Sequence, residues 1–131
     1  MEFKDLLAER RSVRKYSERE VPREVVERLL RETLTAPSSR NSRSTRLLVV
    51  EDPATVARMA AMRDYGSGFL KGAPRAIVVL GDTAASDLWK VNAAISATVL
   101  QLACVDEGLA SCWVHVEGRP RRTEGPRGGQ A

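Results

Sequence analysis

Arg10-Arg11-Ser12-Val13-Arg14-Lys15-Tyr16 sets four cations and one serine within seven residues, directly after a short helical pattern. Guanidinium forks make bidentate, charge-assisted bonds to phosphate oxygens, so clustered Arg beside Ser has the chemistry of a phosphate clamp. A solvated basic helix end accounts for the same residues, because the macrodipole also favours cations at a helix C-terminus. On these residues alone both readings stay open. A twin-arginine export signal fails, since residues 13–20 are mostly polar and no apolar segment follows.

Upstream, Phe3, Leu6 and Leu7 fall at i, i+3, i+4 and predict a short amphipathic helix to about Glu9. Downstream, Pro22 sits where a helix would begin, at the position that tolerates its missing N–H. Val25, Val26, Leu29, Leu30, Thr33 and Leu34 then recur at helical spacing until Pro37 stops the run. Pro37-Ser38-Ser39-Arg40-Asn41-Ser42 is a loop of turn formers with side chains and amides free to bind. Leu47-Leu48-Val49-Val50 predicts a buried strand, and Asp52-Pro53 caps a helix to about Met62.

Gly66-Ser67-Gly68-Phe69-Leu70-Lys71-Gly72 imitates a dinucleotide fingerprint, but its third glycine is one place late. Ala73-Pro74 and a strand over residues 76–80 follow where a helix is required. Residues 87–107 predict the longest helix, with Gly108 as its C-cap. Between Ala93 and Val105 only Ser96, Thr98 and Gln101 are polar. A helix apolar nearly all round must be covered on most sides, by a second subunit or as the central helix of a monomer. Residues 109–116 predict a third strand. Beyond Gly118 the chain is rich in Gly, Pro and Arg without periodicity, so residues 119–131 read as a disordered tail on a domain of residues 1–118.

At 131 residues the length suits one domain with a real core. The formal charge of +4 is a local excess: residues 9–23 hold six cations against three acids. Such a patch suits an anionic small molecule as well as nucleic acid. The few aromatic residues are scattered, which argues against a base-stacking platform. Two cysteines and one histidine give no zinc-ligand spacing. With no signal peptide or membrane-length apolar run, they read as reduced thiols of a cytoplasmic protein.

Taken in order, R-R-S-V-R-K-Y, A-P-S-S-R-N-S, a strand, K-G-A-P-R-A-I-V-V-L and a long Ala-rich helix ending in G-L-A-S-C-W-V resemble the flavin-dependent nitroreductase family. The resemblance runs from Phe3 to about Val116. It implies an α+β fold, with a mainly antiparallel central sheet flanked by helices, in an intertwined homodimer holding two FMN at the subunit interface. By position, Arg10, Arg11, Ser12 and Arg14 match the motif that reaches the FMN phosphate and the pyrimidine side of the ring. Pro37, Ser38, Ser39 and Asn41 match the loop laid against the isoalloxazine from the other subunit. Trp113, Val114, Glu117 and Gly118 fall in the backbone stretch facing the flavin, and Lys71 lies near a position that approaches the ring.

The implied activity is an FMN-dependent oxidoreductase that takes a hydride from NADH or NADPH. By a ping-pong cycle it would reduce a small-molecule acceptor, such as a nitro compound or quinone. No protein nucleophile, metal, nucleic acid or membrane is implied. Cys112 reads as a packed strand residue rather than a reactive thiol, and His115 as a strand position that could alternatively act near the ring. Two departures stand out. Arg43-Ser44-Thr45 replaces the family's Gln-Pro-Trp, and the family continues past this point with a helix, a strand and further phosphate-binding cations. The expectation from the second is an impaired protein or an inert flavin-binding remnant, with a frameshift or truncation near Arg122.

Overall fold

A computed structural model describes residues 1–119 of the chain. Helix α1 (Phe3–Glu9) starts where the Glu2 N–H donates to Asp5 Oδ2 at 3.1 Å, and it packs on the later helix α4. Its side chains Phe3 and Leu7, on one face at i, i+4, remain 63% and 54% exposed. Helix α2 (Arg23–Thr33) buries Val26, Leu29 and Thr33 along one stripe, also against α4. Pro22 is its N-cap rather than its first helical residue, accepting from the Val25 and Val26 amides.

Strand β1 (Thr45–Val50) leads into helix α3 (Pro53–Met59). Asp52 caps α3 as expected, taking the Thr55 N–H at 3.1 Å. The helix ends three residues earlier than its pattern suggests, and single turns carry the chain to Met62. A 3-10 turn over Gly68–Gly72 packs back on α3 and leads to strand β2 (Ala76–Gly81). The two strands pair antiparallel, with Thr45 opposite Gly81 and Val50 opposite Ala76. Helix α4 (Trp89–Asp106) lies across them. Gly81 is required for that approach, because a Cβ there would fall 2.2 Å from the Trp89 ring.

The core forms where α2 meets α4: Leu29, Leu100, Ala103 and Cys104, with Val25, Ile77 and Leu109 packed around them. Each fully buried aliphatic side chain contributes about 1.5–3 kcal/mol. Gly108, at φ +76°, closes α4 in the left-handed conformation that suits glycine. Its N–H bonds Val105 O and the next N–H, of Leu109, reaches back to Cys104 O at 2.8 Å, which satisfies two terminal carbonyls.

Two expectations need correction. The apolar runs of β1 and β2 predict strands covered on both faces, but Leu48 is 53% exposed and Leu80 also faces outward. An antiparallel pair needs only one face covered, and α4 supplies it. Residues 109–116 form no ladder among the described residues; Ser111 alone pairs, in a parallel bridge with Ser12. Their composition suits extended backbone, but a strand exists only with a neighbour to bond. The expected tail lies, from residue 120 onward, outside the described residues.

Candidate functional site

Two groups of polar residues gather at the two ends of α4. At the C-terminal end, Arg10 caps α1 and turns the chain into extended backbone at φ −61°, ψ 128°. That run lies beside the segment leaving α4: Ser12 bridges Ser111, and the Val13 N–H donates to Ser111 O at 3.0 Å. A cleft of about 250 Å³ opens here between Glu9, Arg11, Val13, Val105, Leu109 and Ser111.

Some arginines are paired, Arg28 on Glu107 at this end among them, and others, such as Arg40 and Arg43 of the loop at the far end of α4, form no ion pair among the described residues. Arg23, Arg28, Arg31, Arg46 and Arg75 each hold a carboxylate. Arg10, Arg11 and Arg14 hold none among the described residues, and Arg11, Ser12 and Arg14 are exposed. One carboxylate, Glu9, shares the cleft with Arg11. Three unpaired guanidiniums and a hydroxyl on one short, backbone-pinned run form a donor set that fits a phosphate.

Tyr16 closes the run, its ring 6.3 Å from that of Phe69. Burial pushes its phenol up to about 12, helped by Cys112 and opposed by Arg14. Phe69 belongs to the Gly68–Gly72 turn, which carries the exposed Lys71 two residues further on. Burial likewise raises Cys104 to about 11, so that thiol is a packing group rather than a nucleophile. Cys112 is half-buried, and its Sγ lies 3.6 Å from Trp113 O. His115 is exposed.

At the N-terminal end the organiser is Asn92, 1% exposed in the first turn of α4. Its Oδ1 accepts the Ser39 N–H at 3.0 Å, and its Nδ2 donates to Ser44 Oγ at 2.9 Å and Ser42 Oγ at 3.3 Å. Ser38 Oγ accepts the Arg43 N–H, and Ser39 Oγ meets Ser86 Oγ at 3.3 Å. Pro37 and Asn41 stay on the exposed side of the loop, around a 3-10 turn at Ser39–Asn41. Lys90 pairs with Glu117 at 2.9 Å, and that bond holds the Glu117 carboxyl below its ordinary range.

The 18 residues of α4 span about 27 Å at 1.5 Å per residue. The loop residues Ser38, Ser39 and Asn41 therefore sit far from Arg11 and Ser12 within one chain. Residues 111–117 run back along α4 from one group to the other. Trp113 is 44% exposed on that path, Val114 is half-buried, and Glu117 and Gly118 are exposed near the loop end. Sequence reasoning missed Asn92, Ser44 and Lys90. The available signal was the single Asn in the first turn of a mostly apolar helix.

The Nitroreductase family profile matches residues 7–64, from α1 through the cationic run and the loop to just past α3. A protein of Methanothermobacter thermautotrophicus, provisionally named an NADH dehydrogenase/NAD(P)H nitroreductase, is 30% identical over 130 residues. That alignment takes in 97% of this chain and 68% of the relative. The chain belongs to the nitroreductase family.

Among solved structures, an FMN-dependent nitroreductase from Clostridium difficile R20291 superposes with a TM-score of 0.84 at 39% identity, covering 87% of this chain and 66% of that one. A structure from Desulfovibrio desulfuricans, described as a provisional nitroreductase in complex with FMN, gives 0.77 at 25% identity over 87% of this chain and 68% of its own. The chain thus spans about two thirds of the length of these nitroreductases. The α+β architecture with its antiparallel sheet is the nitroreductase fold. Among the described residues no helix is long and apolar enough to cross a membrane, and no cluster of three or more metal-ligating side chains occurs.

Proposed function

We propose that this chain is an FMN-dependent oxidoreductase that takes a hydride from NADH or NADPH and reduces a small-molecule acceptor, a nitro compound or a quinone, in a ping-pong cycle. The observation carrying this reading is the Ser12–Ser111 pairing, which sets three unpaired arginines beside the start of the 111–118 stretch. FMN, when bound, supplies the hydride and electron chemistry. Arg10, Arg11, Arg14 and Ser12 would hold its phosphate and the pyrimidine side of its ring. Trp113, Val114, Glu117 and Gly118 would line its path, with Lys71 nearby. No protein nucleophile takes part, and the buried Cys104 thiol stays protonated at neutral pH.

The loop carrying Pro37, Ser38, Ser39 and Asn41 stands at the other end of α4. A site using both groups is most economically completed by two copies of the chain, each giving one end to each of two sites. The apolar, incompletely covered flank of α4 and the outward Phe3 and Leu7 of α1 support a homodimer of this kind. Free Cys104 and Cys112 suit a reducing, cytoplasmic setting. The test is direct: the purified protein should be yellow and release FMN on denaturation. It should oxidise more than about one equivalent of NADH or NADPH per FMN only when a quinone or nitroaromatic acceptor is added. A colourless protein that refuses added FMN rejects the reading.

A further inference from the structure

The loop over residues 37–44 holds an unfavourable backbone. Arg40, Asn41 and Arg43 lie at φ +53°, +53° and +50°, in the left-handed region that non-glycine residues avoid. Three such residues within four positions persist only when the surroundings over-determine them. One buried side chain supplies three of the bonds that hold the loop from outside. Asn92 uses its carbonyl for the Ser39 amide and both amide hydrogens for Ser42 and Ser44. Ser44 is itself fully buried, so the hub is closed to water on that side. A buried amide without partners would be costly, yet three of the four hydrogen-bonding positions of this one are used by a loop some fifty residues away in sequence. Other ties also reach the loop from outside it: the Asp82 N–H donates to Ser44 O at 2.7 Å, the Arg46 guanidinium donates to Arg43 O, and Ser39 Oγ meets Ser86 Oγ at 3.3 Å.

We infer that Asn92 is the positioning residue that holds the 37–44 loop in the shape that receives the flavin ring; this rests on the flavoprotein reading above. Asn92 touches neither FMN nor substrate. It acts through Ser39, Ser42 and Ser44, leaving Pro37 and Asn41 on the presented side.

Two variants separate this role from general support of the fold. Asn92→Leu keeps the volume and removes all three bonds. Asn92→Asp keeps the acceptor for the Ser39 amide, while the Ser42 and Ser44 hydroxyls can turn to donate. Amide exchange in the flavin-free protein and FMN titration by fluorescence quenching are measured on both. In Asn92→Leu the Ser39 amide should exchange about tenfold faster and the FMN Kd should rise about tenfold, with core amides such as Leu100 unchanged. Asn92→Asp should stay within about threefold of wild type on both counts.

Wild-type exchange and affinity in Asn92→Leu overturn the inference. So does a faster Ser39 amide with unchanged FMN affinity, or loss that appears only together with faster core exchange. An Asp variant as impaired as the Leu variant also overturns it. A wild-type protein that binds no FMN removes the flavoprotein reading and the receiving role with it. In that case the exchange arm still decides whether Asn92 shapes the loop.

Discussion

The two ends of α4 solve opposite problems. At the N-terminal end the polar groups are spent on one another: the Asn92 side chain, the Ser39 N–H and the Ser42 and Ser44 hydroxyls form a connected set, and no buried side-chain polar atom lacks a partner among the described residues. At the C-terminal end Arg10, Arg11 and Arg14 stand unpaired on a run fixed through its backbone by Ser111. A satisfied network sets a shape and has little left to offer a ligand. Unpaired guanidiniums do the reverse, keeping their strongest bonds for an anion. The contrast assigns shape to one end and charge to the other, and the perturbations below follow from it in falling order of effect.

Ala97→Asp attacks what the two ends share, the apolar flank of α4. If that flank is covered by a second copy, an unpaired carboxylate there should cost several kcal/mol of association. Light scattering should then show monomer, and FMN should be lost with the dimer. A wild-type monomer at micromolar concentration breaks the premise.

Arg11→Ala and Arg14→Ala test the charged end alone. Each should weaken FMN binding by about tenfold or more, since a charge-assisted bond is worth about 1.5–3 kcal/mol. Thermal unfolding should move little, because neither side chain is buried or paired. Unchanged affinity in both variants would return the run to a solvated basic face.

Arg28 and Glu107 tie α2 to the C-terminal end of α4 through two bonds of 2.8 and 2.9 Å. The hydrogen bond from Arg28 lowers the Glu107 pKa from its ordinary 4.5. A lowered folded pKa means that this contribution is present above about 4.5 and is lost as pH falls through the lower folded value. Arg28→Ala should lower Tm modestly at neutral pH and have progressively less effect at acid pH. A mutant deficit that stays constant from pH 7 to about 2 would contradict the linkage.

The smallest effect is spectroscopic. Tyr16, raised by burial to about 12, should remain protonated well above the ordinary tyrosine value of 10.0. A raised folded value means that its contribution is complete below 10.0 and is lost as pH climbs toward about 12. Phenolate absorbance should show this late step, and Tyr16→Phe should abolish it.

Much of this contrast was legible before any coordinates. Leu29 and Thr33 at i, i+4, the Asp52-Pro53 start and the Gly108 stop are local signals, and the elements they mark formed. The cationic run and the Ser-rich loop announced themselves by composition. What stayed hidden depends on partners distant in sequence. Residues 109–116 have strand-forming side chains, yet whether a strand forms is decided by a neighbouring chain segment. Leu48 reads as buried because its neighbours are apolar, but only the sheet's covered face decides. Asn92 carries no periodic signal at all, and its meaning lies in Ser39, Ser42 and Ser44.

The central claim is that a complete flavin site takes its charged end from one copy and its shaped loop from another. Mixed dimers test it most directly. One copy carries Arg11→Ala and Arg14→Ala; the other carries Ser39→Ala and Asn41→Ala. Each homodimer should bind FMN poorly. If the sites are shared between copies, the mixed dimer contains one site with both ends intact and should bind one FMN per dimer at wild-type affinity. If each site is built within a single chain, both sites of the mixed dimer are damaged, and no tight FMN binding would appear.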